Sequence, residues 1–197
     1  QEGAHKLLDL INDVLLVSDI ESGKLSVNPE VFPISEAVQD ALRTLQDDIE
    51  THHVQVACDG EGMAVRADRW ATRHVLEKII GNAIRFSPSD TQVQVRCADV
   101  GDRIQIAVTD HGCGIPEDIL KQIGSSFIVS DQVLTREHAG TGLGLATSYG
   151  LARLMGAEIA IESRLGAGTI VTVSFDAAAK NVPDVLPTER LPAASLA

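Results

Sequence analysis

The chain has 197 residues, with sixteen Lys and Arg against twenty-eight Asp and Glu, for a formal net charge of −12. That acidity excludes the basic stripe needed to neutralise nucleic-acid phosphates and the polybasic cluster that holds a protein on an anionic bilayer. No run reaches the 18 or so apolar residues of a membrane span, and the three cysteines, Cys58, Cys97 and Cys113, are odd in number and far apart, which points to free thiols in a reducing compartment.

At this length the chain suits one domain with an appendage, burying roughly 70% of its unfolded surface. It starts at Gln1 with neither an initiator Met nor a signal peptide, and so reads as a piece of a longer protein. Leu7, Leu8, Ile11, Val14 and Leu15 recur at spacings of three and four, which predicts a helix to about Gly23, a glycine placed to end it in the left-handed region. Such a stripe wants a partner: the following domain, another helix or a second subunit. Pro33 opens a second helical pattern, Ile34, Ala37, Val38, Ala41, Leu42, Leu45 and Ile49, running to about His52. Val54 to Cys58 alternates like a strand, and Met63 to Val65 reads as a short return after Gly60 and Gly62.

Asp68 is placed to cap a helix whose apolar stripe is Val75, Leu76, Ile79, Ile80 and Ala83, and which ends before Pro88. Thr91–Cys97 and Arg103–Val108 both alternate with period two, and Gly101-Asp102 stands in hairpin position between them. Pro116 opens a short helix, residues 124–141 lack periodicity, and a helix follows from about Leu143 to Met155. Ala157–Ser163 and Thr169–Phe175 form a second hairpin across Gly166 and Gly168. Helices with a mixed or antiparallel sheet predict a two-layer α/β sandwich, and the absence of strict βαβ repetition argues against a doubly wound sheet. The sequence divides into a leading helix over residues 1–25, a domain over 26–176, and a tail over 177–197 with prolines at 183, 187 and 192.

The chemistry sits in glycines and a few polar residues. Gly140-Thr141-Gly142-Leu143-Gly144 enters a helix, and exposed amides there suit phosphate. It is neither a P-loop, which ends in Gly-Lys-Ser/Thr, nor the Gly-x-Gly-x-x-Gly dinucleotide turn. Asp110-His111-Gly112-Cys113-Gly114 ends a clean strand, where a carboxylate backed by glycines can accept from a ligand N–H; a turn-initiating Asp fits the same pattern. On the Asp68 helix, Glu77, Gly81 and Arg85 share a face with Asn82 beside it. An Asn there suits Mg²⁺, which takes few protein ligands and keeps phosphate and water. An exposed polar helix face explains the same residues without a ligand.

Taken in order, Glu77–Ser87 resembles the N box of the sensor histidine kinase ATP-binding domain, Asp110–Ile115 its G1 box, Ser125-Ser126-Phe127 its F box, and Gly140–Ala146 its G2 box. Gly166-Ala167-Gly168-Thr169 is similar to the final glycine motif, and Leu10–Lys24 to the end of the second helix of the dimerisation and phosphotransfer module. The resemblance covers residues 7–176 and implies a Bergerat-type ATP site, shared with gyrase, Hsp90 and MutL relatives. It implies that Asp110 accepts from the adenine amino group with support from Thr169, that Asn82 ligates Mg²⁺, and that Arg85 approaches the phosphate chain. It further implies that Gly112, Gly114, Gly140, Thr141, Gly142, Leu143 and Gly144 line the nucleotide, and that residues 127–139 form a lid in which Arg136 or His138 touches the γ-phosphate. Glu77 would help activate a histidine nucleophile from another element.

No histidine here carries the phosphoacceptor pattern of His followed by Glu or Asp and an Arg-Thr-Pro-like end; His5 sits in a context that matches the second helix instead. His52, His53 and His74 read as surface or helix-flanking residues, and Cys113 as a small filler. The expectation is therefore a cytoplasmic piece of a sensor histidine kinase whose parent is homodimeric and sometimes membrane-anchored. It takes ATP and Mg, has its acceptor histidine upstream, passes phosphate to a response-regulator receiver domain, touches neither nucleic acid nor membrane itself, and does not autophosphorylate alone. The alternative is a degenerate module of the same fold that relays signals with little turnover.

Overall fold

The computed structural model describes residues 2–60, 62–125 and 143–178. In chain order the elements are α1 (Glu2–Glu21), β1 (Glu30–Pro33), α2 (Ile34–Thr44), α3 (Gln46–His52), β2 (Gln55–Asp59), β3 (Ala64–Ala67), α4 (Arg69–Phe86), β4 (Gln92–Val100), β5 (Arg103–Asp110), α5 (Glu117–Ser125), α6 (Leu143–Met155), β6 (Glu158–Arg164) and β7 (Gly168–Asp176). Five strands form a mixed sheet in the order β2-β4-β5-β7-β6; β2 runs parallel to β4, and the other neighbours are antiparallel. Helices α4 and α6 pack together against this sheet, α2 lies beside α4, and α1 lies on α6. The result is the two-layer α/β sandwich preceded by one long helix.

Alternation in β5 shows why the layers meet. Ile104, Ile106 and Val108 are buried while the residues between them are half-exposed, as a strand with one covered face requires. They meet Val75, Leu76, Ile79, Ile80 and Ile84 of α4, Val93 and Val95 of β4, and Val173 and Phe175 of β7 in one core. Each such burial is worth about 1.5–3 kcal/mol. The same period places Asp110, two residues beyond Val108, on the buried face.

Helix α4 starts where expected. The Asp68 Oδ1 accepts the Ala71 amide at 2.8 Å, and Oδ2 accepts the Asn28 amide at 2.7 Å, so one carboxylate caps a helix and ties down the chain entering β1. Gly23 ends the α1 segment with φ +66.

Three features differ from the sequence reading. The helix expected to run unbroken to His52 breaks at Leu45 (φ −92, ψ 8), whose buried side chain turns in towards Gly81 of α4. β1 was not anticipated: it pairs with β3 in a separate two-stranded sheet, Phe32 opposite Val65. Ala177 and Ala178 belong to the domain rather than to a tail, because Ala177 bridges to Val65 and the Ala178 amide donates to the Ala64 carbonyl at 2.9 Å. Residues 179–197 lie outside the described residues. No helix among the described residues is long and apolar enough to cross a membrane.

Candidate nucleotide site

Asp110 closes β5 directly opposite Thr169 of β7. Its Oδ1 accepts two backbone amides, from Gly112 at 2.8 Å and from Thr169 at 3.2 Å. Among the described residues Oδ2 has no partner, so one oxygen is fixed by the fold and the other is left to accept a ligand N–H. Burial pushes the Asp110 carboxyl above the ordinary carboxylate range, against the two amide bonds and nearby His111, which lower it.

Two glycines let the backbone close around this carboxylate. A Cβ on Gly112 would lie 2.3 Å from the Phe86 carbonyl oxygen, and one on Gly168 (φ +92) would lie 2.1 Å from the Asp110 carbonyl oxygen. Both positions exclude any side chain, which holds the end of α4, the loop after β5 and the start of β7 in mutual contact.

A hydroxyl pair braces the far side. Ser163 Oγ donates to the Gly168 carbonyl at 2.9 Å and accepts the Ile115 amide at 2.8 Å. A hydroxyl has a single proton, so the 2.9 Å contact between Ser163 Oγ and Thr169 Oγ1 is donated by Thr169. The Gly166 amide also donates to the Cys113 carbonyl at 2.7 Å, joining the loop after β5 to the β6–β7 turn. The sequence reading missed Ser163, whose only signal was its register opposite Thr169 across the glycine turn.

On α4, Asn82 is half-exposed and Arg85 exposed, and neither side chain has a polar partner among the described residues. Glu77 is engaged: its Oε1 pairs with Arg73 Nη1 at 2.9 Å, and its Oε2 lies 3.8 Å from His74 Nδ1. His74 is partly buried on α4; it stacks on Trp70 at 5.2 Å between ring centroids, and burial holds its pKa below the usual histidine value. Gly144 lies in the first turn of α6 and its carbonyl accepts from Ser148 Oγ at 2.8 Å. Leu143 begins that helix and Gly114 (φ +68) packs against the Arg164 backbone. Gly140, Thr141 and Gly142, the lid over residues 127–139 with Arg136 and His138, and Phe127 lie outside the described residues. A cleft of about 250 Å³ between α1 and α4, lined by residues such as Asp13, Leu16, Trp70 and His74, contains none of the predicted nucleotide ligands.

Residues 67–179 match the family model described as histidine kinase-, DNA gyrase B- and HSP90-like ATPase, which is more than half of the chain. The chain belongs to this ATPase family. It is 40% identical over 176 residues to the histidine protein kinase DivJ of Caulobacter vibrioides, covering 88% of this chain and 29% of that protein. It is 37% identical over 175 residues to the circadian input-output histidine kinase CikA of Synechococcus elongatus, covering 87% of this chain and 23% of that protein. The chain thus spans less than a third of either relative. In fold it is similar to full-length ShkA solved with AMPPNP, at TM-score 0.73 and 24% identity, covering 90% of this chain and 38% of that one. Within the ATPase family fold, Asp110 with its glycines and Thr169 stands at one end of the α4–sheet interface, and Asn82 and Arg85 follow on α4.

Proposed function

We propose that residues 26–176 are the ATP-binding catalytic domain of a sensor protein histidine kinase, preceded in residues 1–25 by the second helix of a dimerisation and phosphotransfer module. One observation carries the nucleotide site: a buried carboxylate, Asp110, with one oxygen held by the Gly112 and Thr169 amides and the other without a partner among the described residues. Oδ2 is not among the buried side-chain atoms left without a partner; it therefore keeps access to solvent, from which a donor such as the adenine amino group can reach it. Thr169 Oγ1, which spends its proton on Ser163, keeps lone pairs to accept from the base or from an intervening water.

Asn82 and Arg85, without partners among the described residues, lie in the last turn or so of α4, which ends at Phe86, and serve the phosphate end. Asn82 fits Mg²⁺ by the chemistry of its amide oxygen, and the ion when bound would neutralise phosphate charge. Arg85 offers a planar guanidinium to phosphate oxygens. Gly140 to Gly144, with Thr141 and Leu143, complete the phosphate cradle in this reading. In the reaction the bond from the γ-phosphorus to the ADP oxygen breaks as one to an imidazole nitrogen forms. The acceptor histidine comes from outside residues 1–197, and Glu77 positions it. Glu77 Oε1 is paired with Arg73, so Oε2, 3.8 Å from His74 Nδ1, is the oxygen that accepts an incoming imidazole N–H. The phosphoryl group then passes to a response-regulator aspartate. The family resemblance also supports a homodimeric parent and a cytoplasmic setting for this domain.

Calorimetric titration with the non-hydrolysable analogue AMPPNP, with and without Mg²⁺, tests the site on this chain and on Asp110→Asn. Saturable binding that Asp110→Asn abolishes is the expected result. A folded chain that binds no nucleotide would overturn the reading.

A further inference from the structure

We propose that Lys78 is an additional cation for the nucleotide's phosphates, and that Asp13 of α1 competes with those phosphates for it, so that nucleotide binding and the docking of α1 oppose each other. The inference rests on the nucleotide-site reading above. Lys78, Asn82 and Arg85 stand at i, i+4 and i+7 on α4, and so form one row along a single helix face. The stem of Lys78 runs under the first turn of α6: a Cβ built on Gly144 would lie 3.5 Å from Lys78 Cδ. The lysine therefore starts from the same wall as Asn82 and passes the start of α6.

Its ammonium group is drawn the other way. Lys78 Nζ lies 2.8 Å from Asp13 Oδ1 and 2.9 Å from Oδ2, so it is shared by both oxygens of that carboxylate. The Asp13 side chain is only 7% exposed, whereas that of Lys78 is 26% exposed. The asymmetry decides which partner can leave. Lys78 sits on a flexible four-carbon stem and can turn towards another anion. Asp13 cannot stay buried without a cation except at heavy cost, so loss of Lys78 favours exposure of Asp13, which means release of α1 from α4 and α6. The neighbouring Glu77 does not hold Lys78 back, because it is paired with Arg73.

A nucleoside triphosphate brings several negative charges to a row in which Arg85 is the one cation without an anionic partner among the described residues. It supplies the anion that Lys78 needs in order to leave Asp13. By linkage, whatever α1 docking costs nucleotide affinity, nucleotide binding costs α1 docking by the same factor.

The test uses the full chain with AMPPNP and Mg²⁺, measured by calorimetry and by emission from Trp70, the single tryptophan, which lines the cleft between α1 and α4. Asp13→Asn should bind AMPPNP about five-fold more tightly or better. Lys78→Gln should bind it about ten-fold more weakly, with Lys78→Arg recovering most of the loss. AMPPNP should shift Trp70 emission in the wild type and have little effect on it in Asp13→Asn. Asp110→Asn separates the two readings. If it abolishes binding while Asp13→Asn and Lys78→Gln both match the wild type, the competition is wrong and the site stands. If the wild type shows no saturable binding, both fall. Should Asp13→Asn lose its helical circular dichroism, the Lys78→Gln and Lys78→Arg pair decides.

Discussion

Ser163 and Thr169 face each other across the β6–β7 hairpin with hydroxyl oxygens 2.9 Å apart, and Thr169 is also the residue paired with Asp110 on the next strand. Ser163 thereby orients the hydroxyl beside the Asp110 carboxylate, the proposed adenine contact, while its own proton goes to the Gly168 carbonyl. Ser163→Ala removes the acceptor for both the Ile115 amide and Thr169. It should lower stability by about 1–3 kcal/mol, read as a shift in urea midpoint at constant slope. AMPPNP affinity should fall as well, because Thr169 is then free to rotate.

Asp110 makes nucleotide binding sensitive to acid earlier than an ordinary carboxylate would. Its folded-state pKa is raised, chiefly by burial. In the proposed site the ionised form accepts from the base, so affinity should fall as pH drops through that raised value. The stability sign is opposite. Between the ordinary carboxylate value and the raised one, the unfolded chain ionises first, so Asp110's contribution to stability is full below the ordinary value and is lost as pH rises through the window. The stability difference between wild type and Asp110→Asn should shrink or invert over that rise. A pH series of melts on both proteins checks it; parallel curves would argue against the burial account.

Gly112→Ala isolates a steric effect. The added methyl would meet the Phe86 carbonyl at 2.3 Å and the Asp110 Oδ1 at 3.0 Å. Backbone must move to relieve it, at a cost of about 2–4 kcal/mol, and the motion carries the Asp110 carboxylate with it. Loss of both stability and AMPPNP binding is expected, by thermal melts and calorimetry. A stable variant with normal affinity would show that the loop yields more easily than its contacts suggest.

Helix α1 keeps a large apolar surface in solvent. Leu8, Ile11, Val14 and Leu15 are each about half exposed, at 46–57%, while Asp13 is buried and Leu16 and Ile20 pack on the core. An exposed stripe of this kind marks a contact surface. The chain should self-associate with rising concentration, and Ile11→Glu with Leu15→Glu should hold it monomeric, as sedimentation velocity would show. A wild-type chain that stays monomeric at high concentration would count against a dimerisation helix.

The element pattern was legible because burial leaves a local period. Ile104, Ile106 and Val108 spell out the covered face of β5, and the same count places Asp110 on it. Asp68 and the Pro88 that follows Ser87 bracket α4. The break at Leu45 was not legible, since the apolar spacing continues through it; the turn follows from how Leu45 packs towards α4. β1 escaped notice because four residues with a single buried side chain, Phe32, carry no measurable alternation.

The candidate site divides along the same line. The chain by itself determined which residue types stand at each strand end and helix start, because backbone period, glycine and capping chemistry act within a few residues. Only the tertiary structure decided which of them meet. Thr169 reaches Asp110 from 59 residues away, and Lys78 reaches Asp13 from 65. Those encounters depend on strand order and helix packing, which minimise exposed apolar area over the whole chain, and no local pattern records their outcome.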